Sequence, residues 1–157
     1  MAQLYKGMTC PLCGAEIALA KDRYLCTTAF LDDDSDLWEY ADAAMHWDCY
    51  ASWEHRTRFA RMYFEWNREG RWGLVFANDQ VQVRVLHIYT PHLVEVILAE
   101  TGSITEVALA DWEGWLASKC FERCKHIIEH EALAAVLPLL RSRFPTAESI
   151  SNAPTIV

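Results

Sequence analysis

The chain is short of basic residues. Its 14 Lys and Arg stand against 22 Asp and Glu, a formal net charge of −8. A nucleic-acid binder needs a positive footprint that displaces counterions from phosphates. Here the cations are scattered except around "HRTRFAR", while "LDDDSD" (31–36) is an acidic run. Nucleic acid is therefore disfavoured as a partner, and so is an anionic membrane surface. Long apolar runs are missing too: none approaches the ~18 residues of a membrane span. The opening "MAQLYKGMTC" has no apolar signal core. The expectation is a cytoplasmic protein whose thiols stay reduced.

The familiar catalytic motifs are equally absent. There is no Gly-rich phosphate loop, no nucleophile elbow and no His-Glu-x-x-His run. The zinc deaminase signature needs His-x-Glu upstream of Pro-Cys-x-x-Cys, whereas here the histidine follows the cysteine pair and Pro11 lies inside it. His87 and His92 stand near Glu95 as isolated residues, and histidines so placed are more often surface or satisfied core groups than catalysts. No general acid–base pair stands out, which argues against an enzyme.

What the chain does have is apolar and aromatic bulk. Its 157 residues are 52% hydrophobic and 23% charged, with seven Trp, six Tyr and six Phe. Such a chain buries a sizeable core. The length suits one domain, or a small module (1–70) joined to a slightly larger body (71–157).

Six cysteines at uneven spacing, in a reducing compartment, are metal ligands, catalytic groups or buried small hydrophobes before they are disulfides. The first two lie in "TCPLCG" (9–14), a pair with a turn-forming Pro11 and Gly14. Backbone amides in such a knuckle can point at the sulfurs and favour thiolate. The matching half is in "MHWDCYASW" (45–53), giving Cys10-x2-Cys13-x32-His46-x2-Cys49. Three thiolates and one imidazole make a normal tetrahedral zinc set. A full set of four ligands closes the coordination sphere, so the zinc is expected to be structural.

Behind Cys49, "YASWEHRTRFARMYFEWNREG" reads as one helix, with Tyr50, Trp53, Ala60 and Phe64 on a broad apolar face and Gly70 as its stop. His46 and Cys49 then occupy its entry and first turn, where a spacing of three brings both side chains to one side. The order of knuckle, β-hairpin and ligand-bearing helix resembles a treble-clef zinc finger, and the Cys-Cys-His-Cys order resembles the first half of a LIM domain. The resemblance covers about residues 9–69 and is carried by Cys10, Cys13, His46 and Cys49 alone. It implies one structural Zn2+ on those four residues. The x32 spacer is longer than is usual in LIM modules, so the hairpin must carry an insertion, for which "DDDSDLWEYAD" is the candidate. The segment "DAAMHWDCY" also resembles one in short uncharacterised bacterial proteins, a likeness that implies no function.

"CPLC" is also similar to the Cys-Pro-x-Cys of glutaredoxin-like oxidoreductases, in which the first thiol is activated at a helix N-terminus. That fold needs a buried strand before the pair and a helix starting within it; only nine residues precede Cys10, and Gly14 interrupts a helix start. Cys26, in the strand-like "DRYLCTTAFL", has no nearby partner and reads as a buried small hydrophobe.

Beyond Gly70 the period changes to that of strands. "RWGLVFA", the turn "NDQ", "VQVRVLHIYT", "HLVEVILA" and "ITEVALA", with "ETGS" between the last two, predict a four-stranded antiparallel meander over 72–110. Alternation of Val81, Val83 and Val85 with Gln82 and Arg84 predicts a half-buried strand. Asp111 is placed to cap a long helix over 112–144, with Gly114 unfavourable inside it and Pro138 a kink or restart. On that helix Cys120 and Cys124 are about 40° apart, while His126 and His130 project roughly 240–280° from Cys120. One helix cannot gather these four, so they read as buried thiols and solvated histidines.

The whole predicts an α+β protein: a treble-clef-like zinc module, an antiparallel meander and C-terminal helices. The expected function is binding another protein, without catalysis. "FLDDDSDLWEY" offers four aspartates with Trp38 and Tyr40 as interface side chains, unless these aromatics fold back onto the helix. Two rival functions stand beside this: a thiol oxidoreductase using Cys10 and Cys13, and an acidic immunity or antitoxin-like protein masking a basic partner.

Overall fold

The computed structural model describes residues 4–69 and 72–156. It is a mixed α/β structure with two antiparallel sheets. The first sheet is a hairpin of β1 (Tyr24–Cys26) and β2 (Ala44–His46), with Leu25 opposite Met45. The chain between them, 27–43, is the long insertion that the x32 spacer demands.

The expected single helix after Cys49 is two helices. α1 spans Trp47–Ser52 and α2 spans Arg56–Arg68. Trp53 is extended between them (φ −71°, ψ 128°), and its ring packs on Tyr40 and Phe59 at 4.6 and 5.3 Å between centroids. No Pro or Gly marks the break. It comes from tertiary packing, which lets α1 follow the ligand pair while α2 lies on the second sheet. Glu69 closes α2, and the predicted stop at Gly70 falls outside the described residues.

The second sheet is the meander, in the order β3 (Leu74–Ala77), β4 (Val81–Leu86), β5 (Leu93–Leu98), β6 (Ile104–Ala108). The β3–β4 turn is held by the Asn78 side chain, which accepts from the amides of Gln80 and Val81, both at 2.9 Å. That local bond is why Asn suits the turn. The β5–β6 turn needs Gly102 (φ +66°), where a Cβ would stand 3.3 Å from Cα of Ala60 on α2. The turn is thus pressed against the helix, and Tyr50 Oη donates to the Thr101 carbonyl beside it at 2.8 Å.

One sheet face carries Val81, Val83, Val85, Val94, Val96 and Val107 into a core shared with Trp112, Leu133, Leu137 and Leu140. β4 is not half-buried as its alternation predicts, because Gln82 and Arg84, on the other face, are 0% and 6% exposed. The N-terminal half covers that face. Gln82 Nε2 donates to the Phe64 carbonyl of α2 at 2.8 Å, and Arg84 pairs with Glu95, its cross-strand neighbour. A second core, formed by Met8, Ile17, Leu25, Leu37, Met45, Trp47, Tyr50 and Phe59, lies beneath the cysteine pairs.

The predicted C-terminal helix is also interrupted. A short turn α3 (Trp112–Gly114) runs into a wide helical turn at Trp115–Lys119, and α4 begins afresh at Ile127 and ends at Arg143. Asp111 occupies the cap position without a side-chain bond. The functional cap is His126, whose Nδ1 accepts from the Ile128 amide at 3.2 Å. α4 passes through Pro138, whose ring is exposed, because Leu133, Leu137 and Leu140 are buried around it. α5 (Ala147–Ser151) starts with a reciprocal Thr146–Ser149 cap. Among the described residues no helix is long and apolar enough to cross a membrane.

Candidate metal centre

Cys10 and Cys13 lie in a tight turn. Gly14 N donates to the Cys10 carbonyl at 2.8 Å and Cys10 N to the Ala15 carbonyl at 2.9 Å, while Thr9 bridges Glu16. Gly14 takes the left-handed conformation (φ +72°) that reverses the chain. Cys10 faces inward and is buried; Cys13 is exposed. The Ala15 amide is directed at the Cys13 sulfur and pulls that thiol below its usual range. This is the knuckle chemistry expected from Pro11 and Gly14. No helix begins within the pair, which the oxidoreductase reading required.

The second pair arrives on β2 and α1. His46 ends the strand and caps the helix, and Cys49 lies in its first turn. Strand pairing of Tyr24 with His46 fixes the height of this ligand relative to the hairpin. The outcome is a cluster: one ligand atom from each of Cys10, Cys13, His46 and Cys49 lies within 4.8 Å of every other. Sulfurs around a tetrahedral zinc are about 3.8 Å apart, from bond lengths near 2.3 Å. The four residues can therefore hold a metal ion with little adjustment.

The protonation of the thiols fits a cation. Burial pushes the Cys49 thiol up to about 12, and the neighbouring Cys13 and Cys10 push the same way. Three thiolates this close repel one another, and a bound dication resolves the conflict. A donor set of three sulfurs and one imidazole favours a soft or borderline metal over calcium or magnesium.

Asp22 belongs to the site and was not found from the sequence. His46 presents Nδ1 to the Cys13 sulfur at 3.5 Å, and its Nε2 lies 3.3 Å from Asp22 Oδ2. If Nδ1 binds a metal, the ring proton sits on Nε2 and is donated to the Asp22 carboxylate. The same oxygen accepts from the Ala18 amide at 2.7 Å, which ties the carboxylate to the 18–22 turn. A carboxylate behind a metal-binding histidine is a general pattern, but nothing in the spacing selects Asp22 among the acidic residues.

The remaining cysteines and histidines lie elsewhere. Cys26 pairs with Ala44 in the hairpin, and burial raises its pKa. Cys124 is pushed up to about 11 by burial, with Glu129 and Cys120 adding to it. Cys120 is buried, His130 stacks on Phe121 at 4.1 Å, and His126 stacks on Trp47 at 5.8 Å. Among the described residues, Cys120, Cys124, His126 and His130 form no second cluster of metal-binding groups. The two histidines are not simply solvated, since both are held by ring contacts. His87 and His92 are exposed, with ring centroids 5.1 Å apart, and Glu95 pairs with Arg84.

The insertion folds partly onto α2. Phe30 packs against Phe59 and Tyr63 at 5.0 and 4.8 Å, Leu37 is buried, and Tyr40 packs on Trp53 with the rings tilted. Asp36 receives both terminal nitrogens of Arg58 at 2.8 Å. Asp32, Asp33 and Asp34 remain exposed, with Trp38 54% exposed beside them. A comparison with protein-family models finds none that matches this sequence, and comparisons with curated proteins and with solved structures give no match either.

Proposed function

We propose that the protein holds one structural zinc ion on Cys10, Cys13, His46 and Cys49, and that the zinc module, treble-clef-like in its order of elements, is a non-catalytic scaffold for binding another protein. The observation that carries this reading is the convergence of four soft ligand atoms within 4.8 Å, from two pairs set 32 residues apart. Zinc is favoured over other metals because a Cys3His set is one of its usual closed sites. Four protein ligands leave no coordination position for a substrate or an activated water, which supports a structural role. The cytoplasm is the compartment that suits free thiols of this number.

The partner surface in this reading is the exposed part of the insertion: Asp32, Asp33, Asp34 and Trp38. Acidic side chains around an exposed aromatic steer and then seat a basic surface. Metal analysis of the protein purified under reducing conditions tests the zinc. One equivalent of zinc is expected, with the thiols of Cys10, Cys13 and Cys49 becoming reactive toward alkylation only when a chelator is added, while the buried Cys120 is slow with or without it. A metal-free protein with a readily formed Cys10–Cys13 disulfide overturns the reading in favour of the oxidoreductase.

A further inference from the structure

Away from the cysteine cluster, a cleft of about 600 Å³ opens between the hairpin, α2 and the covered face of the second sheet. That volume lies in the range of small-molecule sites, which favour seams between packed layers. Its walls include the rings of Tyr24, Trp66 and Tyr89. Its floor is the cross-strand row Arg84, Glu95 and Glu106, in register across β4, β5 and β6. Arg123 and Lys125, from the segment before α4, stand at its edge.

The charges are not evenly satisfied. Arg84 and Glu95 pair with each other, and Glu129, also in the lining, accepts the Lys125 amide at 2.6 Å. Arg123 and Lys125 donate only to neutral carbonyls, those of Glu106 and Tyr24, at 3.0 and 3.3 Å. Neither has a carboxylate oxygen within 4.0 Å among the described residues. The lining carries three cations, Arg84, Arg123 and Lys125, and three carboxylates, Glu95, Glu106 and Glu129; the two exposed cations that no carboxylate of the described residues holds stand one residue apart beside Tyr24. Lys125 also lies over the Tyr24 ring, 5.1 Å from its centroid, so cation and aromatic wall are contiguous.

We propose that this cleft binds a small aromatic carboxylate, with the ring against Tyr24 and the acid group against Arg123 and Lys125. Stacking supplies the apolar part of recognition. The two cations supply charge-assisted bonds that need a full anion. Glu106 is the opposing feature, an exposed carboxylate in the same lining that repels such a ligand. This inference is independent of the zinc and of the acidic insertion.

The probe is 2-naphthoate, titrated into the full-length protein as purified, by calorimetry and by quenching of tryptophan emission. Saturable binding is expected, and the uncharged 2-naphthamide should bind about tenfold more weakly, the loss of one charge-assisted bond. Arg123→Gln and Lys125→Gln should each weaken 2-naphthoate by about the same factor. Glu106→Gln should tighten it, a change of sign that loss of structure would not produce. Thermal melts identify any variant that fails to fold, and the two remaining variants then decide. Equal affinity for acid and amide, indifference to all three substitutions, or no saturable binding each overturns the proposal.

Discussion

The Asp22 carboxylate and the Cys13 sulfur lie on opposite sides of the His46 ring, 3.3 Å from Nε2 and 3.5 Å from Nδ1 respectively. The imidazole is thereby held in one orientation, with Nδ1 toward the cysteine cluster, before any ion binds. Asp22→Asn keeps the shape but weakens the acceptor, and Asp22→Ala removes it. Loss of such an outer partner commonly costs about 10–100-fold in metal affinity. Chelator competition should show that loss for Asp22→Ala, with Asp22→Asn between it and the unaltered protein. Equal zinc affinity in all three would mean that Asp22 only braces the 18–22 turn.

Removing a ligand should have a larger consequence. The core beneath the site shares Cys10 with the cluster, so a metal bound there would support the same chain segments as the packing. Structural zinc contributes apparent free energies of ~10–16 kcal/mol in small modules. Cys49→Ala or Cys13→Ala should therefore unfold at least the N-terminal half in denaturant melts, and a strong chelator should do the same to the unaltered chain. The Cys49 thiol, held near 12 without a cation, must give up its proton to the metal, so binding releases protons and weakens as pH falls. Zinc affinity that stays constant from neutral to acid pH would contradict this.

The parts legible from the sequence are those with local causes. The meander was readable because Val, Ile and Leu alternate or cluster between turn residues such as Asn78 and Gly102, and the convergence of Cys10, Cys13, His46 and Cys49 was readable because two pairs with a spacing of three are themselves the signal. The breaks at Trp53 and before Ile127 were not, since neither has a Pro or Gly and each depends on a ring contact across the fold: Trp53 on Tyr40, His126 on Trp47. The burial of Gln82 and Arg84 was hidden for a related reason. Alternation shows that a strand has a polar face, not whether another layer covers it. Tyr40 turns inward and Trp38 stays exposed, although the two are separated by one residue.

The ion pair on the covered sheet face should behave as a buried pair. Arg84 and Glu95 are 8% and 11% exposed at their side chains. Truncating one partner of a buried ion pair commonly costs about 3–5 kcal/mol, whereas replacing both by apolar residues of similar volume is often neutral or stabilising. Glu95→Leu is therefore expected to lower the unfolding free energy by that amount, and Arg84→Met with Glu95→Leu to recover most of it. Equal losses for the single and the double variant, measured by denaturant titration, would show that the shape of the pair matters more than its charge.

The acidic insertion separates into a structural part and a free part. Arg58 holds the Asp36 carboxyl below its usual range, so Asp36 contributes stability above that range and loses it as pH falls through the depressed value. The pair is exposed, and the effect on global stability should be slight; Asp36→Asn should instead loosen the loop, seen as faster amide exchange around Leu37. Asp32, Asp33 and Asp34 have no such partner among the ion pairs of the described residues. Changing all three to Asn should leave the melting temperature near that of the unaltered protein. If the insertion seats a basic partner, that triple variant and Trp38→Ala should each lose a protein that co-purifies from the native host, and the association should weaken steeply with salt. Recovery of the same proteins by the unaltered chain and both variants at low salt would place recognition on another surface.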